Sequence, residues 1–196
     1  MRIFFSILAF SSFWGSAKGA DYEVEKAHSN VKFEVAHLVI STVSGRFTDF
    51  TGKLDFNEKA ELVGVTGEVN AASINTDNEK RDKHLRSEDF FYSQKFPQLV
   101  FKSEAFRLKP GKKAKVKGSL TMRGVTRPVI FDLNFKGTAQ DPWGGEKAAI
   151  AATTTIKRKD FGLKWNESLE TGGVLVGDEV KIILDIQANK IEQKKG

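Results

Sequence analysis

Three histidines, His28, His37 and His84, are the side chains in this chain best suited to metal or proton-transfer chemistry near neutral pH. Three imidazoles can hold zinc when a fold brings them together. Their spacing matches no metal signature, and no HExxH is present, so no metal is expected. His28, ahead of Ser29 and Asn30, reads as a turn residue. The chain has no cysteine, which excludes disulfides, thiol catalysis and Cys-ligated zinc or iron–sulfur sites. It also lacks GxSxG, P-loop and GxGxxG patterns. Its carboxylates fall on the polar faces of strand-like segments, or among Glu79 to Arg86, where both signs alternate at helical spacing. No catalytic residue is assigned, and the chain is read as a protein that is not an enzyme.

The unusual number is 16 Phe against 2 Tyr. Phenylalanine fills space and offers no polar handle, so the chain invests in apolar interior. With 196 residues, 40% of them hydrophobic and 29% charged, one domain is expected and wholesale disorder is not. A net charge of +6 is too small to argue for nucleic acid on its own. Lys109, Lys112, Lys113, Lys115 and Lys117 cluster without interleaved aromatics, unlike a single-strand nucleic-acid surface. They read either as a solvated hairpin that protects an edge or as a transient contact with anionic membrane lipids. Met1 to Ala20 joins Arg2, an apolar run from Ile3 to Trp14 and small residues suited to cleavage. That is the pattern of a signal peptide, and a periplasmic destination follows.

These residues need a scaffold, and the remainder of the chain supplies it by alternation. Strand-like segments are expected at 21–26, 30–38, 47–56, 62–74, 99–108, 115–122, 125–137, 147–157 and 178–188. The run Val125 to Gly137 sets Val129, Phe131, Leu133 and Phe135 against Asp132, Asn134 and Lys136. Lys109-Pro110-Gly111-Lys112, Gln140 to Glu146, Gly172-Gly173 and Gly177-Asp178 punctuate the segments as turns. One helix-prone stretch, Asn78 to Phe91, is capped by Asn75, Thr76 or Asp77, with Arg81 and Asp82 suited to fastening it over a barrel. A shorter helical turn is expected at Leu38 to Thr42. Such an all-β antiparallel chain suits either a sandwich or a closed barrel of eight strands; closure removes exposed edges, and such a barrel either fills its interior or holds one small ligand. The inward set mixes large Phe with small Gly67, Gly118, Ala149 and Ala151, which suggests an elongated apolar cavity.

Several segments in order resemble the YceI family of polyisoprenoid-binding periplasmic proteins. They are His28-Ser29, Val31-Lys32-Phe33 and His37; Val43-Ser44-Gly45-Arg46-Phe47 with Phe50-Thr51-Gly52; Ile74-Asn75-Thr76; Arg81 to Leu85; and Asp89-Phe90-Phe91. Phe96-Pro97, Val100 to Ser103 and Gly118 to Thr126 follow, then Asp141 to Gly145, Lys159-Asp160-Phe161-Gly162 with Asn166, and Val176 to Val180. Together they span nearly all of residues 21–189, between the leader at 1–20 and a polar tail at 190–196. The resemblance implies an extended lipocalin-like barrel that binds a long isoprenoid chain, such as an isoprenoid quinone, inside it.

The physics of such a site is independent of the family. Each buried CH₂ gains about 0.8 kcal/mol, and association costs an estimated 4–15 kcal/mol. A tail of roughly ten carbons therefore comes out near zero, while a chain several times longer binds. Cavity-lining positions are expected to be Phe33, Val35, Phe47, Phe101, Phe131, Leu133, Phe135 and Ile150. His37, His84, Phe90, Phe91 and Trp143 are expected at the mouth or lid, where His37 and His84 would reach a polar head group. No cofactor is expected beyond a bound isoprenoid lipid or quinone. The expected function is a periplasmic carrier whose partner is a hydrophobic small molecule; a homodimer is left open. The alternatives are a filled barrel acting through its surface and a lipid-modifying enzyme.

Overall fold

The structure is a computed structural model that describes residues 19–168 and 174–192. It is built from antiparallel strands: β1 (Asp21–Val24), β2 (Asn30–His37), β3 (Ser41–Phe47), β4 (Phe50–Phe56), β5 (Leu62–Asn70), β6 (Ile74–Asn75), β7 (Gln98–Ser103), β8 (Lys113–Met122), β9 (Val125–Gln140), β10 (Glu146–Lys157) and β11 (Val176–Lys190). One α-helix, α1 (Glu79–Arg86), lies between β6 and β7.

Eight of these strands close into a barrel in the order β1-β4-β5-β7-β8-β9-β10-β11, with β1 pairing back to β11. The fold is the expected eight-stranded antiparallel barrel. Closure is achieved by sharing one edge. β11 gives its last residues to β1 (Val24↔Ala188) and the rest to β2 (Val31↔Leu184, Phe33↔Ile182). β3 and β6 then extend from β2. A 3₁₀ turn at Lys26–His28 separates β1 from β2 and interrupts the backbone ladder there. The buried Ser29 hydroxyl fills the gap, donating to Gln187 O (3.1 Å) and accepting from Gln187 N–H (3.0 Å).

Several expected boundaries shift. The segment expected at 47–56 divides at Thr48–Asp49, with β3 before it and β4 after it. Leu38 to Thr42 is not a helical turn. Leu38–Ile40 is a tight hairpin turn with Leu38 and Val39 in the left-handed region (φ 54° and 67°), and Ser41 and Thr42 begin β3. The segments at 62–74 and 99–108 end earlier than expected, at Asn70 and Ser103. Gly177 and Asp178 lie inside β11 rather than in a turn. Gly172-Gly173 and most of the expected leader lie outside the described residues. β10 alternates without a break, so Ala148, Ile150 and Ala152 are buried while Ala149 and Ala151 are not; the β-bulge in its pairing with β9 falls on β9, at Lys136 between Phe135 and Gly137. The expectation of Ala149 and Ala151 on the inner face is thereby corrected.

The barrel has two unlike ends. At the lower end the interior is solid: Phe56 packs on Tyr22 (4.7 Å between centroids) and on Phe135 (5.4 Å), with Leu133, Ala148 and Ala188 also buried. Tyr22 donates to Glu146 Oε1 (2.6 Å), and Lys190 Nζ reaches Glu146 Oε2 (2.6 Å). Burial, then the hydrogen bond to Glu146 and its charge, raise the Tyr22 phenol well above its ordinary value of 10.0. At the upper end, α1 is capped by Asn78, whose side chain accepts from Arg81 N–H (2.9 Å). Arg81 and Asp82 both bind Thr76, Arg81 through its hydroxyl and carbonyl (2.8 Å each) and Asp82 by accepting from its N–H and hydroxyl.

Two outcomes are expected. A phenol held neutral in the folded state stabilises it fully below its unfolded pKa, and that stability is lost as pH rises above it. The urea midpoint should therefore fall from about pH 9 to about pH 11 more steeply in the wild type than in Tyr22→Phe. Ser29→Ala orphans the Gln187 N–H at the shared edge and should cost about 1–3 kcal/mol in denaturant unfolding.

Candidate functional site

Above the packed end, the barrel encloses a cavity of about 200 Å³. Apolar voids of about 150 Å³ already stay dry and take up apolar guests. The interior is therefore not filled by its own side chains. The lining is aliphatic and aromatic apart from Lys32, Thr51, Thr66, Arg158 and two glycines, Gly52 and Gly67. Alternation explains it. Val31, Phe33 and Val35 on β2 face Leu184, Ile182 and Val180 on β11, and all six line the space. Across the barrel, Gly67 on β5 stands opposite Gly52 on one side and Phe101 on the other. A Cβ on Gly67 would meet only Thr51 O, at 3.8 Å, so the missing side chain is left as room. Gly118 and Gly45 do the reverse: a Cβ there would strike the rings of Phe101 and Phe33, so these glycines let the two phenylalanines lie down.

Six of the eight expected lining residues face the cavity: Phe33, Val35, Phe47, Phe101, Phe131 and Ile150. Leu133 and Phe135 do not. They share the inward face of β9 with Phe131 but lie farther along it, in the packed lower end where Phe135 meets Phe56. Period two predicts the face and not the height along the barrel. Of the expected mouth residues, Phe90 and Phe91 line the cavity, Phe91 against Phe47 (5.7 Å). His84 sits on α1 behind them. Its ring meets Phe90 (5.1 Å) and Trp165 (4.8 Å) edge-on, and its Nε2 bonds to Asp89 (2.9 Å). His37 ends β2, half-buried and opposite Val176 of the cavity lining, but is not itself part of that lining. Trp143 is misplaced by the sequence reading. It lies 89% exposed in the β9–β10 turn, at the lower end, because β9 runs from the α1 end downward. His28 pairs with Glu25 (3.1 Å), away from the other two histidines. Among the described residues no three His, Asp or Glu side chains gather closely enough to hold a metal.

Two arginines to which the sequence assigns no role hold the upper end together. Arg158 is 4% exposed and lines the cavity. Its guanidinium donates to four carbonyls, of Gly177 (2.8 Å), Leu163 (2.6 Å), Trp165 (2.8 Å) and Val176 (3.3 Å). Burial lowers its pKa, with the charge of Asp178 acting the other way. It ties the connection after β10 to the start of β11 over the upper end. The signal for it was present, since the inward row of β10, Ile150, Ala152, Thr154 and Ile156, continues onto Arg158. Arg123, in the tight β8–β9 turn, donates to Gly162 O and to Glu88 O (2.7 Å). It joins that turn to the segments on both sides of the upper end. Nothing in its immediate sequence marks this. The lysine hairpin lies at the other end, where Gly111 N–H donates to Phe135 O (2.8 Å) and Phe135 N–H to Lys112 O (3.0 Å).

The model of the YceI-like domain matches residues 22–188. Protein YceI of Escherichia coli O157:H7 is 42% identical over 165 residues, covering 82% of this chain and 84% of that one. A UPF0312 protein of Pseudomonas putida is 40% identical over 153 residues, covering 76% and 80%. Among solved structures, the Campylobacter jejuni YCEI protein superposes with a TM-score of 0.66 at 33% identity, covering 80% of this chain and 90% of that chain. A polyisoprenoid-binding domain from Saccharophagus degradans shares the fold at a TM-score of 0.65 and 15% identity, covering 87% and 98%. The match over nearly the whole barrel, with relatives above 40% identity, shows that this chain belongs to the YceI family.

Proposed function

We propose that the protein is an exported, periplasmic carrier that holds a long isoprenoid chain, of polyprenyl or isoprenoid-quinone type, in its barrel and performs no chemistry on it. The observation that carries this reading is the cavity, a partly open space lined almost wholly by aliphatic and aromatic side chains above a solid floor. Such a lining offers a guest apolar contact along its length and few hydrogen-bonding partners, so it favours hydrocarbon over polar solutes. Phe33, Phe47, Phe91, Phe101 and Phe131 present ring faces and edges against which branched methyls pack. A head group would sit at the upper end, near Arg158 and the α1 segment, because the lower end is packed. The fold shared with a polyisoprenoid-binding domain supports the choice of guest. The leader-like N-terminus supports export.

Native mass spectrometry and organic extraction of the purified protein test the reading. An isoprenoid lipid in near-stoichiometric amount is expected. Gly67→Leu fills the cavity from a position with space for a side chain, and should fold while losing that lipid. Phe131→Asp should lose it too, by placing a charge in the lining. Full lipid content in a folded Gly67→Leu protein, or none in the wild type, would sink the proposal.

A further inference from the structure

The β2–β3 hairpin ends in three consecutive aliphatic residues that the fold leaves in solvent: Leu38 (37% exposed), Val39 (73%) and Ile40 (88%). Val174, 41% exposed, joins them from the adjoining segment, where Leu38 N–H donates to Leu175 O (2.9 Å). Leu38 and Val39 both hold left-handed φ values, where glycine or asparagine is usual and a β-branched residue is strained. Strain and exposure thus coincide on one projection, and neither serves the core. The projection belongs to the upper end: His37, one residue before it, pairs with Val176 of the cavity lining.

We propose that this hairpin tip is the point at which the protein docks on a lipid bilayer, inserting Leu38, Val39, Ile40 and Val174 among the acyl chains beside the upper end. The inference rests on the carrier reading for its purpose, since a carrier must meet the membrane its guest leaves or enters. The tip suits a bilayer better than a second copy of the chain. Four partly exposed aliphatic side chains fall well short of the roughly 800 Å² per partner that a stable dimer buries. They also include none of the aromatic or arginine anchors that dominate protein interfaces. None of the four tip residues is charged and the lysine hairpin lies at the opposite end, so docking through the tip is driven by apolar insertion.

The test compares wild type with Val39→Asn/Ile40→Ser by co-sedimentation with phosphatidylcholine–phosphatidylethanolamine vesicles, with and without phosphatidylglycerol. Asparagine tolerates the left-handed conformation, so the variant should fold at least as well. Loss of two inserted aliphatic side chains should weaken vesicle binding about tenfold or more. Wild-type binding should change little with phosphatidylglycerol or with salt. Uptake of geranylgeraniol from ethanol, read by native mass spectrometry, should be equal in both proteins. Unchanged vesicle binding by the variant would overturn the docking site, as would binding that requires phosphatidylglycerol. A wild-type dimer that the variant dissolves, without vesicle binding by either protein, would assign the tip to a second copy and also overturn it. If neither protein takes up geranylgeraniol, the carrier reading fails, while the vesicle comparison still judges the tip.

Discussion

Everything in this molecule depends on satisfying the outer edge of β11. An open sheet would leave a row of backbone donors and acceptors unpaired and would expose its apolar face to water. Here one fifteen-residue strand presents that edge to two partners in turn, β1 at its end and β2 along the rest. The join is made by a side chain, since the Ser29 hydroxyl exchanges two hydrogen bonds with the Gln187 backbone where the ladder breaks. With the edge paired, the inner face is isolated, and a dry interior can exist at all.

Given closure, the character of the interior is decided by where bulk runs out. The phenylalanines are unevenly deployed along the axis. Phe56, Phe135 and Tyr22 stack into a floor, whereas above them Gly67, opposite Gly52, leaves volume that Phe101 and Phe131 border without filling. The upper end is bound together differently, by polar staples. A guanidinium buried without a carboxylate partner in its hydrogen-bond set is costly, and Arg158 offsets that cost by donating to four carbonyls at once. Arg123 and the Arg81–Thr76–Asp82 cluster do similar work on the neighbouring segments.

Alternation made the barrel and most of its inner face legible in the residues, because period two with turn signals has few other solutions. Phe33, Val35, Phe47, Phe101, Phe131 and Ile150 follow from it. Height along the axis does not, which is why Phe135 and Leu133 were placed with the cavity and Trp143 at the wrong end. Nor does the phase of an alanine run: Ala148 and Ala152 face inward with Ile150 while Ala149 and Ala151 do not, and nothing in the alanines' type records which set is which. The hairpin at Leu38–Ile40 was hidden for a different reason. Its residues are ones that sequence rules exclude from such a turn.

The two ends of the barrel's chain meet at the floor. Tyr22 lies opposite Lys190, and Ile191 N–H donates to Asp21 O (2.8 Å). A tether or fused domain attached at either terminus would therefore hold the molecule by its base. Immobilised that way, every copy would stand upright on its support, with the α1 face turned toward the medium.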